Sequence, residues 1–285
     1  MKFEIADCHN DFLTAFKNKE QREEYIKECH NQGVVAMCCA VYTTGSAVSI
    51  KNIKDYKDEL NYLSKKYAIN LLLTIEDLGF VKTIQDLESL VKVKPFSVTL
   101  TWNYENQFAG GAKTDIGLTC LGRDAVALLE DNRILVDTAH LSKKAFNDLA
   151  EVTRQPIFNS HSNLYSIYPH ERNLSDKQIK IIVESGGFLG VTIYDKFIAG
   201  RRITNEDVVN QFDYLIKRFG NQNFGFGTDF YGVDFSCLPL DIKNYNHLNK
   251  VADRLLKKSL SLYNVNGIMY KNFLNFLDNI KKNNA

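Results

Sequence analysis

Short, nearly continuous apolar runs alternate along this chain with stretches in which the apolar positions are spaced for one face of a helix. Eight runs read as strands: residues 3–8, 34–41, 70–76, 96–102, 134–139, 156–160, 188–193 and 224–229. Several have the unbroken apolar character of parallel strands covered on both faces. The helical stretches between them carry readable ends. Residues 20–31 are stopped by Gly33, Thr119 caps a helix through residue 129, and Ser142 caps the next. Ser175 with Gln178 has the form of a capping box, residues 206–219 stop at Gly220, and two further helical patterns lie near residues 247–262 and 268–280. Neither a periodic repeat nor a low-complexity tract interrupts the alternation. Eight strands alternating with helices predict a single (β/α)8 TIM barrel over residues 1–285, with an open doubly wound sheet as the alternative. Four stretches after strands exceed a minimal connection: residues 42–52, 103–118, 194–204 and 230–246. In a barrel all four crowd the carboxyl-end face, where active sites are built.

Composition narrows the function classes. At 285 residues, 45% hydrophobic and 24% charged, the chain has the make-up of one large globular domain. Its 35 basic and 34 acidic side chains nearly cancel, to +1, so no overall field favours nucleic acid or an anionic membrane as partner. Residues 1–5 run straight into the first strand without a secretion-signal pattern, and no apolar stretch approaches the roughly 20 residues that span a bilayer. The expected setting is therefore cytoplasmic. The six cysteines, Cys8, Cys29, Cys38, Cys39, Cys120 and Cys237, form no C-x-x-C pair and read as reduced, mostly buried thiols.

The polar residues at the strand ends carry the chemistry. The first strand ends in Asp7-Cys8-His9-Asn10-Asp11, placing a histidine and a carboxylate two residues apart. On a strand that spacing puts both on one face, a common half-site for a divalent ion. By itself the triplet is equally explained by a buried histidine satisfied by a neighbouring carboxylate. His140 and His161, each at a strand end, are individually explained as core histidines, and Glu76 as a structural carboxylate. Together with Asp229 at the end of the eighth strand, they make six such groups at one end of one barrel, and a shared metal site accounts for all of them. His30, His170 and His247 fall elsewhere. The count suggests two ions, one held by His9 and Asp11, the other by His140 and His161, with Glu76 bridging them. In such sites the ions stand about 3.5–4 Å apart and make a hydroxide from a shared water. Asp229 is then free to shuttle protons.

These residues resemble the membrane dipeptidase (renal dipeptidase-like, M19) family of the amidohydrolase superfamily across nearly the whole chain. The stretches that carry the resemblance are Asp7 to Asp11, Thr74-Ile75-Glu76, Leu100-Thr101-Trp102-Asn103, and Gly117-Leu118-Thr119 with Gly122-Arg123. They continue with Val136 to Ser142, Asn159-Ser160-His161-Ser162-Asn163, Arg172-Asn173-Leu174 and Gly225 to Phe230. The resemblance implies a (β/α)8 barrel with two Zn²⁺ or similar divalent ions that hydrolyses dipeptides. His9, Asp11, Glu76, His140 and His161 fall on the family's metal-ligand positions, with Glu76 the bridge, and Asp229 falls on its catalytic carboxylate. Arg172 falls on the position that holds the substrate's terminal carboxylate, a role suited to a guanidinium fork. The family often forms dimers, which makes a homodimer one possibility, while the sequence itself leaves the oligomeric state open.

Four positions depart from the family pattern. Trp102 stands where mammalian members carry a substrate-contacting histidine, Tyr231 replaces the second aspartate of Asp-Phe-Asp-Gly, Gln211 a frequent histidine and Asp77 a frequent glycine. None removes a metal ligand, so the expectation is a dipeptidase whose substrate range is its own, with Trp102 among the residues that meet substrate. The competing expectations are hydrolysis of another small amide or ester, such as an N-acyl amino acid or a lactone, in the same site, and a catalytically silent metal-binding barrel.

Overall fold

The computed structural model describes residues 2–45 and 48–283. Eight strands, β1 (Ile5–Asn10), β2 (Val34–Tyr42), β3 (Asn70–Glu76), β4 (Ser97–Thr99), β5 (Leu135–Asp137), β6 (Phe158–Ser162), β7 (Phe188–Val191) and β8 (Phe224–Phe226), pair in sequence order and close into a barrel. Every pairing is parallel, including β1 with β8 through Asp7 and Phe226. The TIM-barrel expectation thus holds, and the open-sheet alternative falls. Helices return the chain after each strand, and their apolar faces join the strands' outer residues in one large core.

The predicted caps are the observed ones. Gly33 ends helix Lys19–Gln32 in the left-handed region at φ +92°, and Thr119 accepts from Gly122 N at the start of helix Cys120–Asp131. Ser142 accepts from Ala145 N, and Ser175 forms its box with Gln178.

Two longer helices were not expected, Ile50–Tyr67 and Ile84–Val91, nor were the four-residue helices Phe12–Ala15 and Asp195–Ile198. The first buries only Ile53, Glu59, Leu60 and Leu63, and Glu59 meets the Arg22 guanidinium at 2.8 Å, so part of its inner face is charged. The helix takes over residues 50–52 of the first long connection; Ser46 and Ala47 of that connection lie outside the described residues. The pattern near residues 247–262 proves to be helix Tyr245–Lys257, broken at Ser259 with φ +67° before a separate short helix begins.

The last helix, Asn272–Asn283, closes the amino-terminal end of the barrel. Phe273, Phe276, Leu277 and Ile280 form a second core with the early, inward residues Ala6, Cys8, Ala36, Cys38, Leu135, Phe158 and Phe188. Four of the six cysteines, Cys8, Cys29, Cys38 and Cys39, are buried thiols. Among the described residues no helix is long and apolar enough to cross a membrane.

Candidate metal centre and active site

The backbone carries each predicted residue to the carboxyl end of the barrel. His9 lies within β1, where the register with β2 shifts between Asp7 and Asn10, and Asp11 follows as the N-cap of the short helix Phe12–Ala15. Glu76 ends β3 and His161 lies in β6. His140 and Asp229 stand three residues beyond β5 and β8, both with positive φ, +67° and +62°. Such backbone is disfavoured for residues with a side chain and persists only where surrounding contacts fix it. Here Ala112 N donates to His140 O at 2.7 Å, Asp229 N to His9 O at 3.1 Å, and Gly232 N to Asp229 O at 3.2 Å.

The six side chains converge. His9 Nε2 is 3.1 Å from Asp11 Oδ2, 3.7 Å from Glu76 Oε2 and 3.9 Å from Asp229 Oδ1. On the other side His140 Nε2 is 2.7 Å and His161 Nε2 3.8 Å from Glu76 Oε1. Three overlapping groups have ligand atoms within 4.8 Å of one another: His9, Asp11 and Glu76; Glu76, His140 and His161; and His9, His161 and Asp229. Glu76 offers one oxygen to each side, the placement a bridging carboxylate needs.

A divalent cation fits these residues. His9 Nε2 and Asp11 Oδ2 are buried without a hydrogen-bond partner, a costly state for both atoms unless a cation lies between them. His140 Nε2 and His161 Nε2 face each other at 2.9 Å, so two lone-pair donors point at one place. Imidazole nitrogens with carboxylate oxygens are the donor set of zinc and similar ions.

Electrostatics agree. Burial, with Arg172 adding to it, pushes His140 down to about 4, and burial with His9 and His140 holds His161 well below its ordinary value, so both rings are neutral at pH 7, the state in which an imidazole can bind a cation. Against the effect of burial, His9 and His140 hold Glu76 well below the usual carboxylate range. Burial raises Asp229 strongly, only partly offset by His9. Burial opposes a charge on His9, but Asp11 and Glu76 outweigh it and raise its pKa. Three carboxylates in one buried site therefore draw positive charge to themselves.

A second layer orients the rings. Nδ1 of His140 is 3.0 Å from Asn103 Oδ1, and Ser160 Oγ is 2.8 Å from Nδ1 of His161 and 3.5 Å from Nδ1 of His9. Protons on these Nδ1 atoms leave each Nε2 lone pair aimed inward. Beneath them, the Asp7 carboxylate accepts from Thr228 N and Oγ1 and the Tyr245 hydroxyl, tying β1 to the end of β8; Asp137 does the same for β5 and β6 through Ser160 N. Sequence reasoning gave none of these six supporting residues a role. For Asp7, Asp137, Ser160 and Thr228 the available signal was closeness in sequence to His9, His140, His161 and Asp229; Asn103 and Tyr245 carried none.

Over the centre opens a cavity of about 540 Å³, within the range of small-ligand sites. Asp11, Glu76, His140 and Asp229 reach its surface, while His9 and His161 lie beneath. Arg172 lines it although only 5% exposed. Its Nη2 donates to His161 O at 3.2 Å, its Nε has no partner, and its guanidinium faces the Phe197 ring at 5.4 Å. Burial lowers its pKa to about 10, which still leaves it charged. Trp102 lines the opposite side beside His140. Gly232 was not anticipated: a Cβ there would fall onto the carboxylates of Asp229 and Asp11. The Asp77 departure also has a physical reading. Its φ is +76°, a conformation that suits glycine, and it is held by Thr99 Oγ1, Thr44 Oγ1, Gly79 N and Asn106 Nδ2.

Fold and centre together define the class, a TIM barrel whose strand ends carry a histidine and carboxylate centre fitted to divalent metal. The chain belongs to the membrane dipeptidase family, peptidase family M19, whose model matches residues 12–285; His9 lies ahead of the matched span, and Asp11 directly abuts it. Among solved structures it is similar to a dipeptidase described as a metallopeptidase of family M19, with 21% identity, a TM-score of 0.85 and 98% of each chain covered. It is also similar to a metallopeptidase from Rhodobacter sphaeroides bound to a phosphinate mimic of L-Ala-D-Ala, with 20% identity, a TM-score of 0.83, and 98% and 99% covered. At these identities the likeness concerns the fold. A protein in the pqqA 5′ region of Klebsiella pneumoniae is 28% identical over 71% of this chain and 78% of its own length. Dipeptidase tcpJ of Claviceps purpurea is 28% identical over 65% of this chain, and the match spans 44% of that protein.

Proposed function

We propose that the protein is a dipeptidase using two divalent ions, zinc by preference, in the centre bridged by Glu76. The observation that carries this reading is the convergence of His9, Asp11, Glu76, His140 and His161, with Asp229 and Arg172 facing the same cavity. Membership of the M19 family and the dipeptide mimic bound by the Rhodobacter relative support it. When bound, the cations supply Lewis acidity toward the scissile carbonyl and acidify water so that it can act as nucleophile.

The chain's own residues do the rest. Arg172 takes the substrate's terminal carboxylate and so sets how far the peptide bond reaches over the centre. Asp229 Oδ1, 3.9 Å from His9 Nε2, accepts the proton of the attacking water. It then passes that proton to the amide nitrogen as the C–N bond breaks, leaving two amino acids. The connection 103–118 covers the mouth, joined to the strand-end loops by Ala112 N to His140 O and the bridge between Gly111 and Leu141, and so limits substrates to short ones. Four buried thiols suit a reducing compartment such as the cytoplasm.

The test is hydrolysis of a dipeptide panel by purified protein before chelation, after chelation, and after zinc is restored. Loss and recovery of turnover is expected. Stoichiometric metal binding with no turnover on any dipeptide, alongside turnover of N-acyl amino acids or lactones, would replace this reading with the broader hydrolase.

A further inference from the structure

Half of the cavity has no part in that mechanism. Arg172 follows β6 and its ring partner Phe197 follows β7. In a closed eight-stranded barrel β2 lies across from β6 and β3 across from β7, so the ends of β2 to β4 form the rim opposite Arg172. There Tyr42, the last residue of β2, meets Trp102 edge to face with ring centroids 5.7 Å apart. Trp102 lies beside the His140 imidazole at 5.9 Å, tilted by 31°. The charged lining residues that belong to no ligand group cluster on the other side: Glu171, Arg172, Lys196 and Asp234. Lys113, the exception, has its ammonium 5.4 Å from the Tyr104 ring. The Tyr42–Trp102 rim is aromatic, with no formal charge of its own.

We infer that Trp102 and Tyr42 form the subsite for the substrate's N-terminal side chain and that they select a large apolar one. The preferred substrates are then dipeptides that begin with an aromatic or branched aliphatic residue. This rests on the dipeptidase reading, which fixes the polarity of the bound peptide. With the terminal carboxylate at Arg172 and the peptide bond over the centre, an extended dipeptide spans about 7 Å. Its N-terminal residue therefore arrives at the far rim. An apolar side chain there gains contact with two rings, whereas an ionised one loses water without finding a counter-charge.

Trp102 is the chain's only tryptophan, so its fluorescence reports on this subsite alone. The experiment compares Phe-Ala, Leu-Ala, Gly-Ala, Asp-Ala and Lys-Ala as substrates of the zinc-loaded full chain. It is paired with fluorescence titrations using phosphinate mimics of Phe-Ala and Gly-Ala. Expected is a kcat/KM at least about 10-fold higher for Phe-Ala and Leu-Ala than for the other three, the discrimination an apolar pocket affords. In Trp102→Ala the ratio of Phe-Ala to Gly-Ala falls by about 10-fold, and in Trp102→Phe, which keeps an aromatic wall, it stays within about threefold. The Phe-Ala mimic shifts the emission of Trp102 more than the Gly-Ala mimic. Hydrolysis of all five without preference, or an unchanged ratio in Trp102→Ala together with equal emission shifts, would overturn the inference while leaving the dipeptidase reading intact. No hydrolysis of any dipeptide overturns the dipeptidase reading and the inference with it.

Discussion

Ser160 places one hydroxyl against two imidazoles, His161 at 2.8 Å and His9 at 3.5 Å, and these rings take part in overlapping groups of candidate ligands, one of which holds both together with Asp229. A hydroxyl has two acceptor lone pairs, enough to receive both Nδ1 protons, so this side chain fixes two tautomers together. Ser160→Ala removes the acceptor and leaves two buried N–H groups unpaired. Zinc affinity is expected to fall by about 10–100-fold, read by competition with a chromophoric chelator, while circular dichroism stays unchanged. Unaltered affinity would show that packing alone orients the rings. At this scale the sequence made the candidate ligands legible because metal chemistry restricts residue type, so His9, Asp11, Glu76, His140 and His161, which the structure brings together, stand out from their spacing and strand-end positions. Their supports do not stand out. A serine beside a histidine is common, and nothing in the letters reveals that His140, Asp229 and Asp77 adopt positive φ or that Gly232 is needed for clearance.

Among the elements, those with strong local signals are the ones the sequence disclosed. Short β-rich runs, several of them continuously apolar, marked all eight strands, though β4, β5 and β8 are only three residues long. Most helices with a cap and an apolar stripe were equally visible; Ile84–Val91 was missed although Thr83 and Asp86 form a capping box and Leu87, Leu90 and Val91 are buried. Helix Ile50–Tyr67 was not visible, since its inner face is partly the Arg22–Glu59 ion pair, and ion pairs have no periodic signature in a hydropathy pattern. Gly33 shows what a visible cap contributes. It holds φ at +92° and brings its Cα so close to Phe3 that an added Cβ would sit 3.1 Å from that residue's carbonyl oxygen. Gly33→Ala is expected to cost about 1–2 kcal/mol, the penalty for a side chain in left-handed backbone. Urea unfolding should show it as a lower midpoint with an unchanged slope. A midpoint equal to that of the parent chain would mean that the helix end relaxes to another cap.

For the whole molecule, the barrel separates two tasks by its ends. The amino-terminal end is filled by Phe158, Phe188, Phe273 and Phe276, stacked or tilted at centroid distances of 5.2–6.4 Å, in a layer whose described residues include the Cys8 and Cys38 thiols but no carboxylate, ammonium, guanidinium or imidazole. The carboxyl end gathers Asp11, Glu76 and Asp229, buried and so close that Glu76 disfavours ionisation of Asp11, and both disfavour that of Asp229. The closing helix was legible as a helix but not as a plug, because amphipathic spacing does not say which surface the apolar face meets. This division makes the metal part of the fold's energetics: a cation bound only by the native strand ends stabilises the native state by mass action, by about 2.7 kcal/mol at a free concentration one hundred times its dissociation constant. For a chain of this length that corresponds to a rise in Tm of about 5 °C. Zinc added to chelated protein should therefore raise Tm by this amount in a scanning fluorimeter. His140→Ala, which removes a proposed ligand from the group it forms with Glu76 and His161, should shrink the shift. An equal shift in that variant would place the stabilising ion elsewhere, and no shift in the parent chain would mean that the strand-end carboxylates are held apart by the scaffold alone.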